Sequence, residues 1–160
     1  MMNLILHIFF FLLAFIGMEF IAWFTHKYIM HGFLWKMHKS HHSGSRYKLE
    51  HNDWFALVFA IPSWLCIMLG VMYNSPASIW IGSGMTAYGV AYFLVHEVFI
   101  HQRIKLFRNA DNNYLRAVRR AHKIHHKHLK KEAGESFGFL IVAKKYFQQD
   151  KNSLFDMKQN

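Results

Sequence analysis

Apolar and polar positions along this chain are gathered into blocks. Three long apolar runs stand out, Leu4–Phe24, Trp54–Tyr73 and about Ser78–Val95. A helix needs about 20 mostly apolar residues to cross the hydrocarbon core of a bilayer, so the first two runs are long enough and the third narrowly so. Three buried helices of a water-soluble domain would need a polar exterior, and the remaining residues are too few and too basic to build one. Asn74-Ser75-Pro76 separates the second run from the third. Pro76 lacks the amide proton that a continuing helix needs, so the two runs are expected to form a tight helical hairpin. The first run is expected to remain as a span. No basic residue precedes it, it exceeds a signal peptide's apolar core, and it carries Glu19 without a small-residue cleavage site.

The expected fold class is therefore all-α, an integral membrane helical bundle in which residues 1–160 form a single domain. Within the third run Ser83, Ala87 and Ala91 repeat every four residues, a small-residue stripe suited to close helix packing. Downstream, a polar helix is expected from about Asn113 to Lys130. The apolar patch Phe137–Phe147 is too short to span, and either lies on the membrane surface or packs under that helix. The tail after Gln148 is expected to fray.

Charge fixes the orientation. Hydrophobic residues make up 53% of the chain, yet mean hydropathy is only +0.06, because all 19 Lys and Arg fall outside residues 1–24 and 54–100. Five lie between Lys27 and Lys48 and fourteen from Arg103 onward. By the positive-inside rule, segments 25–53 and 101–160 are cytoplasmic, and the N-terminus and the Asn74 turn are outside. The basic segment Arg116–Lys131 adjoins spans, so anionic lipid or an acidic electron donor suits it better than nucleic acid. Cys66 is the only cysteine and sits in an apolar run, which excludes an internal disulfide and a Cys-based metal site. It is expected to be a small buried hydrophobe.

Candidate chemistry lies in the histidines. Of the 13 present, ten repeat one order: His26-x4-His31 then His38-x2-His41-His42, and His96-x4-His101 then His122-x2-His125-His126. On a helix, positions i, i+3 and i+4 share a face, so each triplet presents its imidazoles together. The i, i+5 pairs cannot share a face of a regular α-helix. Either the helix ends inside the motif, as Gly32 after His31 would allow, or the two rings of a pair reach different metals. Between the first two clusters and the second two lie two spans and a turn, which returns the chain to the same side. All four clusters are thereby expected at one cytoplasmic end.

Neutral imidazole is the commonest metal ligand. Structural zinc needs four ligands, so ten suit two ions with room for oxygen or water. Zinc has no second redox state, so a redox reaction on a lipid favours iron. A metal transporter would place its ligands in broken helices near the bilayer midplane, whereas these histidines sit beyond the span ends.

The words around the histidines carry a resemblance. His26-Lys-Tyr-Ile-Met-His31-Gly, Ser40-His41-His42, Gly84-Met-Thr-Ala-Tyr-Gly89, His96-Glu-Val-Phe-Ile-His101-Gln-Arg, His122-Lys-Ile-His125-His126 and Ser136-Phe-Gly-Phe139 together resemble the bacterial beta-carotene 3-hydroxylases. These form the carotenoid branch of the fatty acid hydroxylase and sterol desaturase superfamily of membrane di-iron enzymes. The resemblance covers roughly residues 16–142. It implies two non-haem iron ions held by the ten histidines, O2 as co-substrate and two electrons from a ferredoxin or similar donor. It further implies hydroxylation of beta-carotene, drawn from the bilayer, at carbon 3 of its beta-ionone rings, through cryptoxanthin to zeaxanthin. Glu97 stands where the family has Asp, and Ala133-Gly134-Glu135 replaces a small apolar stretch.

Further candidates are fewer. Glu19, deep in the first span, is either a functional carboxylate or a locally paired one. Glu97 and Asp53 are candidates to orient a metal ligand. Glu50 and Asp53 suit the cap of the helix beginning near Trp54. His51 and His128 adjoin the clusters without joining the pattern, and His7 sits at the far end of the first span. The alternatives kept open are a hydroxylase or desaturase of another lipid, and a membrane metal-binding protein with no enzyme activity.

Overall fold

The computed structural model describes residues 3–43, 49–107, 109, 112–127, 130–131 and 134–147. Among these the chain is helical, without strands. Helix α1, Leu4–Phe24, is capped by the Asn3 side chain, which accepts from Leu6 N–H at 3.0 Å. It runs into a π-helical segment, Thr25–Phe33, that kinks at Gly32 and leads to α2, Trp35–Ser43. A short 3₁₀ turn, His51–Asp53, starts α3, Trp54–Met72. The expected hairpin follows, with Asn74 in the left-handed region (φ 52°), which asparagine tolerates. Pro76 occupies the first turn of α4, Pro76–Phe93, where its missing N–H has no partner to lose. A second π-helical segment, Leu94–Ile100, extends α4, and α5 spans Asn113–Lys127. Sequence placed the end of α5 at Lys130, but His128 and Leu129 lie outside the described residues, as does the tail after Phe147.

Three helices, Leu4–Phe33, His51–Met72 and Pro76–Ile100, are long and apolar enough to cross a membrane by length and composition. Their outward faces stay apolar: Ile5, Phe20, Trp64 and Val71 are each more than half exposed. The helices meet through small residues. A Cβ on Gly84 would lie 2.3 Å from the Phe11 carbonyl oxygen of α1, and one on Gly82 would lie 2.8 Å from the Ser63 oxygen of α3. Ser63 Oγ also donates to Gly82 O at 3.0 Å and lies 2.6 Å from Thr86 Oγ1, the polar bonding between helices that a lipid-like surrounding favours. The closest approaches therefore fall at glycines beside the Ser83–Ala87–Ala91 stripe, which is half-buried. Cys66 is half-buried among these contacts.

The patch at 137–147 packs on α5. Tyr146 is buried with Ala117 and Ala121, and Val142 joins them. Tyr114 OH donates to Leu140 O at 2.7 Å and Arg120 Nη1 to Tyr146 O at 2.7 Å. Residues 134–143 thus form a strap over the end of the bundle away from the Asn74 turn.

Candidate metal centre

Both π-helical segments answer the question of the five-apart pairs. An i→i+5 hydrogen bond widens the helix and stacks residues five apart. His101 N–H donates to His96 O at 3.0 Å, and Leu34 N–H to Ile29 O at 3.0 Å. The rings of His26 and His31 lie 5.2 Å apart and those of His96 and His101 4.6 Å apart. Each pair falls within one group of histidines, so of the two alternatives left open by the sequence the rings of a pair do not go to different groups.

The histidines gather into two groups that could each hold an ion. His26, His31, His38, His42 and His125 offer nitrogens within 4.8 Å of one another, and so do His41, His96, His101 and His122. Each triplet is split. Positions i and i+4 of the first, His38 and His42, join the first group, while His41 joins the second. From the later triplet His122 joins the second group and His125 the first. His126 stands between, its ring 4.6 Å from His42, 4.8 Å from His41 and 4.4 Å from His122.

Acceptors behind the rings fix which nitrogen faces inward. His26 Nδ1 donates to Phe137 O (3.2 Å), His31 Nδ1 to Lys131 O (3.3 Å), His125 Nδ1 to Glu135 O (2.8 Å) and His38 Nδ1 to Asn52 Oδ1 (2.7 Å). In the second group His41 Nδ1 donates to Glu50 Oε2 (3.1 Å) and His96 Nδ1 to Glu97 Oε1 (2.5 Å). A neutral imidazole that has its proton on Nδ1 keeps a bare lone pair on Nε2. Those lone pairs face one another: Nε2 of His26 and His42 each lie 3.1 Å from Nε2 of His38, and Nε2 of His31 lies 3.3 Å from that of His125. His101 and His122 bring their Nε2 atoms to 2.9 Å. Nitrogens about 2.1 Å from one metal ion and at right angles around it lie about 3.0 Å apart. Facing lone pairs repel unless a cation lies between them, so the donor set fits metal. Nε2 of His41 and of His126 are also buried with no hydrogen-bond partner among the described residues.

Burial keeps the rings neutral. It pulls His38 down to about 2, and His125 to about 3 despite the bond to the Glu135 carbonyl. His101 falls to about 3 through burial, with His41 beside it adding to the shift. His122 and His126 are lowered by burial and by neighbouring histidines. The hydrogen bond from His41 holds the Glu50 carboxyl below its usual range, against the effect of burial.

The other candidates are placed as follows. Glu19 reaches no histidine: Oε1 accepts from the N–H groups of Phe139 (2.7 Å), Leu140 (2.8 Å) and Ile141 (3.0 Å), and Oε2 from Tyr88 OH (2.7 Å). It is the locally paired carboxylate of the two readings, and it pins the strap. Glu50 and Asp53 form a capping box on the 3₁₀ turn that starts α3, whereas Asp53 makes no side-chain cap bond to α3 itself, and Glu50 also holds His41. Asp53 reaches the site through Arg103, at 2.9 Å, and through the N–H of Glu50, also at 2.9 Å. His51 is exposed and joins neither group, and His7 stacks on Trp80 far from both. His128 and Ala133 lie outside the described residues. Sequence reasoning assigned no role to Asn52, Arg103 or Tyr88. Arg103 stood inside the fourth quoted motif, which begins at His96, but nothing in a linear pattern says that it turns back on Glu97.

A groove of about 530 Å³ runs along the outer face of α1, lined by Ile16, Phe20, Trp23, Phe137 and Ile141, with Glu19 beneath. Phe137 closes its inner end, with its ring 5.0 Å from His31, 5.4 Å from His125 and 5.5 Å from His26.

Comparison with known proteins agrees with this site. A family model described as fatty acid hydroxylase matches residues 11–147. The chain is similar to a beta-carotene hydroxylase of Pantoea ananas, 47% identical over 127 residues, 79% of this chain and 72% of the relative. One of Pseudescherichia vulneris is 44% identical over 133 residues, 83% and 75% of the two chains. One of a Paracoccus species is 39% identical over 126 residues, 78% and 77%. No solved structure matches.

Proposed function

From the premise that the chain belongs to the fatty acid hydroxylase family, we propose that it hydroxylates beta-carotene at carbon 3 of the beta-ionone rings, by way of cryptoxanthin to zeaxanthin. The supporting observation is the pair of histidine groups at the end of an apolar bundle, in a chain whose bacterial relatives are named beta-carotene hydroxylases. The ten clustered histidines are the ligands in this reading, nine in the two groups and His126 between them. Two iron ions, when bound, supply the activation of O2, with two electrons from a ferredoxin-type donor. One oxygen atom enters the C–H bond and the other leaves as water with two protons.

The chain's own residues do the rest. Carbonyls, carboxylates and the Asn52 amide hold the imidazoles of His26, His31, His38, His41, His96 and His125 with Nε2 inward, so these six need no reorientation when an ion binds. The groove along α1 admits one end of a long apolar substrate from the bilayer, and Phe137 sets how close its ring comes to the first group. Placing the target carbon is what selects among equivalent C–H bonds. The chain acts as one membrane domain in the bacterial inner membrane. Its histidine end faces the cytoplasm, where the basic α5 meets lipid headgroups or the donor.

Expression in cells that make beta-carotene, followed by pigment chromatography, tests the proposal. Cryptoxanthin and zeaxanthin are expected with the native chain and neither with His122→Ala. Unchanged carotene in cells holding iron-loaded native protein would overturn it, and a hydroxylated or desaturated acyl chain or sterol instead would point to another lipid.

A further inference from the structure

The two histidine groups look alike in ligand type but differ in the charge behind them. The acceptors described behind His26, His31, His125 and His38 of the first group are neutral: three peptide carbonyls and the Asn52 amide. The Glu135 carboxylate turns away to Lys145 while its carbonyl serves His125. In the second group the acceptors are the carboxylates of Glu50 and Glu97. Arg103 clamps both. Its Nε lies 2.8 Å from Glu97 Oε2, Nη2 3.3 Å from Glu50 Oε1, and Nη1 2.9 Å from Asp53 Oδ1. Gln102, in the left-handed region (φ 53°), turns the chain so that Arg103 N–H donates to Glu97 O at 3.0 Å. Three carboxylates around one guanidinium leave a formal charge of −2 beside the second group.

A carboxylate that accepts an imidazole N–H makes the opposite nitrogen a stronger donor, and nearby negative charge favours the more highly charged ion. We propose that the two metal positions are inequivalent. The second group, His41, His96, His101 and His122, takes its ion more tightly and holds it more firmly in the oxidised state. Glu50 and Glu97 are positioning residues for this, and Arg103 fixes them. The proposal rests on the histidine groups being the metal ligands.

The test uses the full chain purified in detergent, stripped of metal and titrated anaerobically with ferrous iron. Two binding steps are expected, with two Mössbauer signatures after loading with iron-57. Glu97→Gln should weaken the tighter step by about 10–100-fold and leave the other step in place. Asn52→Ala should weaken only the looser one. In a reductive titration with dithionite of loaded protein first oxidised with ferricyanide to the ferric state, each ion takes up one electron. The ion reduced last in the native protein should become the easier one to reduce in Glu97→Gln. Glu50→Gln provides the same readouts if Glu97→Gln fails to fold. Indistinguishable ions in the native protein, or both steps shifting together in the Glu97 or Glu50 variant, would overturn the inequivalence while leaving the ligand assignment standing. Fewer than two ions per native chain would remove the ligand assignment and this proposal with it.

Discussion

The two halves of the chain carry the same histidine order and support it by different means. In the first half six residues separate pair and triplet across the kink at Gly32, and the pair's rings lean on the carbonyls of Phe137 in the strap and of Lys131, a hundred or more residues downstream. In the second half twenty residues separate them, and the pair is backed by a carboxylate of its own helix, Glu97. Each half also lends the other a ring, His41 one way and His125 the other. Ligand spacing decides which rings can meet, whereas acceptors remote in sequence decide how the rings are held.

The exchange of rings can be broken most directly. His125→Ala is expected to empty the first group although the residue belongs to the second half, and His41→Ala to empty the second. Hydroxylated product should fall to background in both, with metal analysis showing which ion is lost. Loss of the other ion in either variant would refute the interleaving. His7→Ala, stacked on Trp80 at a distance, should leave product unchanged.

A smaller effect should follow from freeing the strap. Glu19→Ala leaves three strap amides and the Tyr88 hydroxyl without their acceptor, each unpaired group costing about 1–3 kcal/mol. Because the strap supplies the carbonyls for His26 and His125, iron affinity of the first group should drop about 10–100-fold. Glu19→Gln keeps an oxygen for the amides and should restore most of it. An equal loss from both groups would show that the strap does not serve the first half in particular.

Much of this was legible beforehand. Spans, hairpin and a shared end follow from apolar run length, Pro76 and the parity of crossings, all local or additive properties. The ten histidines follow from their repeated order. What escaped was relational. The π-helical widening that brings His26 beside His31 has no signature in the composition of Thr25–Phe33. Asn52 behind His38, Glu50 behind His41 and the reach of Glu19 to residues 139–141 are contacts made only after the chain has folded.

Acid should weaken both halves alike, because burial acts on both. His38 at about 2 and His125 at about 3 belong to the first group, and His101 at about 3 to the second. Their unfolded values lie near 6.5, so below that pH the unfolded chain binds protons that the folded chain does not. Stability of the metal-free protein should therefore be fully present above pH 6.5 and decline steadily toward pH 3. Melting curves in detergent across that range check the sign. A melting temperature that rises as pH falls from 6.5 would show that the rings are not buried in the neutral form.

Least affected should be a change that touches neither half's acceptors. A methyl group on Gly84 meets the Phe11 carbonyl oxygen of α1 at 2.3 Å, so Gly84→Ala must push α1 away from α4 within the apolar bundle. Overpacking of this kind costs about 1–3 kcal/mol. Gly84 lies about three helical turns before His96, and the histidine groups are tied together by hydrogen bonds at the bundle's end rather than by this contact. The melting temperature should fall while both iron-binding steps keep their native affinities. A lost or weakened step in Gly84→Ala would mean that helix packing in the spans, and not the remote acceptors, sets the geometry of the rings.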